Sequence, residues 1–286
     1  MANQIHQWQQ GGRFFKVGDH RAFLREEGPG EAVVCVHGVP SSSYLYRKMI
    51  PLLARQGYRG LSFDLIGMGL SDKPGDFDYS WTGLGKWSAQ AIEALEIEKY
   101  HLIIHDIGGP VGVEMLGHHP EKILSVTILN TLLVNLGSFS KPFPMYFFEK
   151  KGIGEAFLAT TLPLFFQKLM HWRGIHQNKS FTRDDARTYV QLLNHGDKGK
   201  AFLQIMRSFE ARAAKEKQYL DTLRGLQVPI QIIWGVNDPG LTTSQYGYPL
   251  QKALGLDQIT ELPGSHFLQE DYAEEIVGQV LGMIRG

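Results

Sequence analysis

Leu102-Ile103-Ile104-His105-Asp106-Ile107-Gly108-Gly109-Pro110 decides the fold. The apolar run at its start reads as a strand buried on both faces. Gly108 and Gly109 give the room that a tight strand-to-helix crossing needs. The helical pattern that follows runs to Gly117 and stops at His118-His119-Pro120. The stretch is therefore strand, sharp turn and helix, with a carboxylate, Asp106, at the turn. An aspartate here is commonly an N-cap. It is also a nucleophile candidate, because backbone N–H groups at a helix start favour an anion. A carboxylate attacks an alkyl carbon to give a covalent ester, which water then hydrolyses with a histidine as base.

Outward from this stretch, short β-branched runs alternate with helical patterns, as in a parallel sheet covered by helices. Strands are expected over Arg13 to Val17, Arg21 to Arg25, Ala32 to Val36, Leu61 to Phe63, His101 to Ile104, Leu124 to Leu129, Ile230 to Trp234 and Gln258 to Leu262. Helices are expected over Ser43 to Arg55, Thr82 to Leu95 with Thr82 as N-cap, Gly108 to Gly117, and about Asp271 to Ile284. The alternation breaks between Thr131 and about Gln227, where the pattern is helical and rich in Phe, Leu and Met. An insertion at the carboxyl ends of parallel strands lies over the place where ligands bind in open α/β sheets. The expected organisation is a core of residues 1–131 and 226–286 with a helical cap of residues 132–225.

Three further stretches sit at strand ends. His37-Gly38-Val39-Pro40 follows the third strand, where the backbone N–H of Val39, together with that of Ile107, would face a developing oxyanion. Ile232-Ile233-Trp234-Gly235-Val236-Asn237-Asp238-Pro239 ends a strand and places an acid in the loop, suited to orient a histidine. Leu262-Pro263-Gly264-Ser265-His266-Phe267 supplies that histidine before the final helix. His37 reads as structural.

At these residues the chain resembles the haloalkane dehalogenase and epoxide hydrolase branch of the α/β hydrolases, from about Gly12 to the C-terminus. Asp106 takes the place of serine in the G-x-S-x-G elbow, and the order nucleophile, acid, histidine is the one this fold uses. Asp64-Leu65-Ile66-Gly67-Met68-Gly69-Leu70-Ser71-Asp72-Lys73-Pro74, Ser43-Tyr44-Leu45-Tyr46-Arg47 and His266-Phe267-Leu268-Gln269-Glu270-Asp271 are framework signatures of dehalogenases. The resemblance implies the α/β-hydrolase fold and a triad of Asp106, Asp238 and His266. It also locates two departures. Dehalogenases place a halide-holding tryptophan after the nucleophile, where this chain has Ile107, and some take an asparagine where it has Val39. Neither side chain has a donor. Epoxide hydrolases use cap tyrosines to protonate the opening oxygen. Their positions fall near Phe143 and at Met206, leaving Tyr146, Tyr189 and Tyr219 as candidate donors and Trp172 and Met206 as candidate substrate contacts. An epoxide is the leading expectation, a haloalkane the second, and a non-catalytic binding protein on a hydrolase shell the third.

Composition bounds the rest. Lys+Arg and Asp+Glu both number 29, so no basic face for nucleic acid is expected. The lone Cys35 lies in an apolar run and reads as a buried hydrophobe. The polar N-terminus and the lack of a long apolar run argue for a cytoplasmic protein with no membrane span. His171, His176 and His195 lack further ligands at metal spacing, and Gly67-Met68-Gly69 lacks a third glycine, so neither metal nor nucleotide cofactor is expected. The aromatic-rich cap suggests a small apolar substrate, and a monomer or homodimer.

Overall fold

The computed structural model describes residues 4–141, 143, 145–160, 168, 170, 174–175 and 181–286. Eight strands form one sheet: β1 (Arg13–Val17), β2 (His20–Glu27), β3 (Ala32–Val36), β4 (Arg59–Phe63), β5 (Tyr100–Asp106), β6 (Ile123–Thr131), β7 (Ile230–Gly235) and β8 (Thr260–Leu262). Their spatial order is β1-β2-β4-β3-β5-β6-β7-β8. β1 pairs with β2, and β2 with β4, antiparallel; every later pair is parallel. β3 and β5 are buried at every residue, because helices cover both faces of the sheet.

The helices are α1 (Gln4–Gln10), α2 (Met49–Arg55), α3 (Trp81–Ala94), α4 (Gly108–His118), α5 (Ile153–Thr160), α6 (Arg183–Asn194), α7 (Lys200–Arg207), α8 (Ala213–Gly225), α9 (Tyr248–Leu254), α10 (Leu268–Asp271) and α11 (Ala273–Arg285). Between β6 and β7 the elements among the described residues are helical. The sheet's carboxyl end thus gathers the loops after β3, β5, β7 and β8.

Three helix boundaries differ from the sequence reading. Ser80, not Thr82, caps α3: its Oγ accepts the Gly83 N–H at 3.1 Å. Thr82 lies inside the helix, and its N–H and hydroxyl both donate to Glu210 Oε2, at 2.8 and 2.7 Å. The long helix expected from Ser43 is a 3₁₀ turn, Ser43–Tyr46, followed by α2. Pro51 explains the restart at Met49, since proline is tolerated only in a helix's first turn. The last helix, expected from about Asp271, starts at Ala273, because Tyr272 has a φ of −128°, which is not helical.

Candidate active site

Asp106 ends β5, the strand between β3 and β6, and its φ is +53°. A non-glycine residue there is strained, and strain of this kind persists only where the surroundings hold it. Two close approaches hold it here. A Cβ on Gly108 would come within 2.4 Å of the Val36 carbonyl, and one on Gly38 within 2.2 Å of Asp106 Oδ1. Only glycine lets the β3 loop close against the turn.

The carboxylate is divided between two environments. Its Oδ1 accepts the Val39 N–H at 2.8 Å, and the Ile107 N–H also bonds the group. Its Oδ2 lies 3.3 Å from His266 Nε2. On the far side of the ring, His266 Nδ1 donates to Asp238 Oδ2 at 2.7 Å. Asp238 Oδ1 accepts the N–H groups of Gly240 and Leu241 at 2.8 and 2.9 Å. Asp106, His266 and Asp238 thus form one line, in the order carboxylate, imidazole, carboxylate.

The electrostatics follow from that line. Burial alone would lower the His266 pKa, but Asp238 and Asp106 outweigh it and push it up to about 10. Burial would raise both carboxyls, yet the histidine's hydrogen bonds and charge hold Asp106 and Asp238 below the ordinary range. The resting site is therefore an imidazolium between two carboxylates.

Two side chains at this site escaped the sequence reading. Asn130, near the end of β6, donates through Nδ2 to Asp238 Oδ2 at 3.0 Å and accepts the Gly235 N–H at 2.7 Å. A polar residue closing a doubly buried apolar strand was the signal available. His105 donates from Nε2 to the His266 carbonyl at 2.7 Å, and burial pushes its pKa down to about 3. It stays neutral, with a buried Nδ1 that has no partner. The expected structural role of His37 agrees with its contacts: Nε2 accepts the Leu65 N–H at 3.0 Å and Nδ1 donates to the Gly38 carbonyl at 2.9 Å.

The cap candidates fare differently. The Tyr189 hydroxyl donates to Glu270 Oε1 at 2.6 Å, so its proton is engaged away from Asp106. Tyr219 packs beside Glu114 and Lys215, against α4 rather than the triad. Tyr146 is 48% exposed and lines a cavity of about 320 Å³ with Phe139, Lys141, Glu149 and Phe209. That cavity includes neither Asp106 nor His266 among its walls. Met206 is fully buried in the apolar cluster that holds Val39 and Ile107. Trp172 lies outside the described residues. No group of three His, Cys, Asp or Glu with metal-holding geometry occurs among the described residues. No helix among them is long and apolar enough to cross a membrane.

Known proteins resemble this chain in sequence and in fold. The family model for the alpha/beta hydrolase fold matches residues 31–273. A haloalkane dehalogenase of Psychrobacter cryohalolentis is 37% identical over 116 residues, which cover 40% of this chain and 38% of that protein. Haloalkane dehalogenase 1 of Mycobacterium bovis is 28% identical over 256 residues, 87% of this chain and 82% of the relative. The crystal structure of an epoxide hydrolase from Vigna radiata superposes with a TM-score of 0.79 at 22% identity, covering 96% of this chain and 97% of the other. The chain belongs to the α/β hydrolase fold family. The relatives that match over most of the chain include haloalkane dehalogenases, and the epoxide hydrolase structure matches in fold.

Proposed function

We propose that this hydrolase opens a small apolar electrophile, with an epoxide as the leading substrate, through a covalent ester on Asp106. The observation that carries the reading is the division of the Asp106 carboxylate, with Oδ1 on the Val39 amide and Oδ2 facing His266. Oδ2 attacks carbon, the carbon–oxygen or carbon–halogen bond breaks, and the leaving group departs with the electron pair. An epoxide oxygen then takes the proton that the His266 imidazolium gives up as the Asp106 charge is lost. Water next adds to Asp106 Cγ while His266 Nε2 accepts its proton, and the Val39 and Ile107 amides hold the oxyanion that forms on Oδ1. Collapse cleaves the ester and releases an alcohol. Asp238 orients and charges the imidazole, as the acid of a triad does.

Ester formation also switches the histidine on. The resting imidazolium has no lone pair to offer. Once Asp106 is esterified its charge is gone, one of the two carboxylates that raise the histidine pKa is lost, and neutral imidazole becomes available as base.

An epoxide is favoured over a haloalkane because positions 39 and 107 offer a departing halide only backbone donors. The haloalkane reading stays in second place, favoured by the dehalogenase relative that matches over 256 residues. The cap, proposed as residues 132–225, would lie over Asp106.

The test is the intact mass of His266→Ala after incubation with styrene oxide or, separately, 1-bromobutane. Loss of the base leaves the ester stranded. Styrene oxide adds its whole mass, and 1-bromobutane adds a butyl group alone. The adduct is expected with styrene oxide and should vanish in His266→Ala/Asp106→Asn. Absence of any adduct with both probes would sink the covalent reading.

A further inference from the structure

A second buried polar cluster lies behind the histidine, and the reaction proposed above makes no use of it. Its centre is Glu270, four residues after His266, with a side chain wholly removed from solvent. Arg47 grips it with both guanidinium nitrogens, Nη1 to Oε1 at 2.6 Å and Nη2 to Oε2 at 2.9 Å. Lys48 adds a second cation, with Nζ 3.2 Å from Oε2. The remaining partners come from α6, in the proposed cap. Tyr189 donates its hydroxyl to Glu270 Oε1 at 2.6 Å, and Asp185 accepts from Arg47 Nη2 at 2.9 Å. Tyr44 closes the ring: its hydroxyl donates to Asp185 Oδ1 at 2.9 Å, and Arg47 lies 4.3 Å over its ring.

The cluster reaches the histidine by two routes. Phe267, the residue after His266, donates its N–H to the Gly174 carbonyl at 2.6 Å, a bond from the histidine's turn to the insertion. Its ring stands 4.8 Å from the His266 ring and 6.5 Å from the Tyr189 ring. The other route is α10 itself, which runs from Leu268 to Asp271 and carries Glu270 one turn beyond the histidine.

A buried bidentate pair is a costly way to gain stability, since well-packed apolar residues do as well. What such a pair supplies is fixed direction, because the guanidinium fork and the carboxylate match only in one geometry. We infer that Arg47, Glu270 and Tyr189 are positioning residues, which seat α6 on the turn behind His266 and set the histidine's aim in the ester-hydrolysis step. The inference rests on the covalent reading above. It predicts a division between the two half-reactions. Formation of the ester uses Oδ2 of the Asp106 carboxylate, whose Oδ1 is held by the Val39 amide, and the network does not touch that hold. Hydrolysis needs His266 Nε2 aimed at a water on Asp106 Cγ, so small misplacement slows this step alone.

Arg47→Met would leave Glu270 buried without its main counter-charge and threatens folding, so the test uses Glu270→Gln and Tyr189→Phe. Both keep the volume, and each removes part of the network. Ester formation and ester hydrolysis are timed separately by quenching and intact mass, with styrene oxide as the probe. In Glu270→Gln, formation should stay within about twofold of the parent while hydrolysis falls roughly ten- to a hundredfold, the scale of a misaimed catalytic group. Adduct should therefore accumulate at steady state. Tyr189→Phe should show the same division at smaller size. Equal slowing of both steps would mark the network as structural support only, and unchanged hydrolysis in both variants would likewise overturn the inference.

Hydrogen exchange separates this failure from failure of the reaction itself. If His266→Ala forms no adduct with either probe, the covalent reading is lost and coupling is judged at the Phe267 amide. Faster exchange there in Tyr189→Phe than in the parent upholds the seating of α6 on the histidine's turn. Identical exchange refutes it.

Discussion

At the residue scale, the unusual feature is a histidine held between two carboxylates. Its pKa is raised from an ordinary 6.5 to about 10, and the sign has a consequence for stability. The folded state binds this proton more tightly than the unfolded chain does. The resulting stabilisation is complete below pH 6.5 and is lost as the pH rises towards 10. The same pairing predicts how the ring titrates. Followed by NMR, His266 in the parent should have a midpoint near 10, and in Asp106→Asn a clearly lower one, because one of its two charge partners is gone. Equal midpoints would mean that Asp238 alone holds the proton, and the proposed switching of the base by ester formation would fall with that result. That Asp106, Asp238 and His266 would meet was legible in the sequence because each stands at a strand end with a glycine or proline within two residues. Asn130 and His105 were less so, since their partners are a carboxylate over a hundred residues away and a main-chain carbonyl that no local pattern announces.

At the element scale, strands were easier to place than helix ends. The apolar run Ala32–Val36 matches β3 residue for residue, because a strand buried on both faces has no polar position to blur its limits. The start of α3 was misplaced because Ser80 and Thr82 both qualify as caps. Tertiary contact decided between them: Glu210 takes the Thr82 N–H and hydroxyl. Ser80→Ala should cost about 1 kcal/mol in urea denaturation, as loss of an N-cap does; no loss would return the cap to a residue further along. A larger effect is expected at the helix carrying the elbow. Glu114 on α4 pairs with Lys215 on α8, and both side chains are more than nine-tenths buried. Lys215→Met strands the carboxylate and should cost about 3–5 kcal/mol, whereas Glu114→Gln/Lys215→Met should recover most of it. If the double variant is as unstable as the single one, the pair is not the source of the loss.

For the whole molecule, the question is whether the insertion between β6 and β7 is an appendage or part of the core. The sequence suggested a core of residues 1–131 and 226–286 with a separate cap, because the strand rhythm stops and returns abruptly. Burial gives a more connected picture. One apolar cluster joins Ala201, Phe202, Leu203, Ile205 and Met206 of α7 to Val36, Ile104 and Ile128 of the sheet. The other joins Phe181 and residues Tyr189, Val190, Leu192 of α6 to Val33, Ile103 and Ile233 of the sheet and to Ile276 of α11. Each cluster crosses the boundary that the sequence rhythm draws, and the Arg47–Glu270–Tyr189 network crosses it again with charge. A folding unit is defined by a core of its own, and the described part of the insertion shares both of its clusters with the sheet. Unfolding should then be a single cooperative event. The check is a urea titration followed by two probes, hydrogen exchange of the β5 amides for the sheet and a fluorophore on a cysteine introduced at exposed Lys198 for the insertion, with the native Cys35 buried and unreactive. Coincident midpoints are expected. An insertion probe that melts at lower urea while β5 stays protected would show that the cap opens as a unit of its own, and the seating of α6 behind His266 would then be a contact made and broken during turnover.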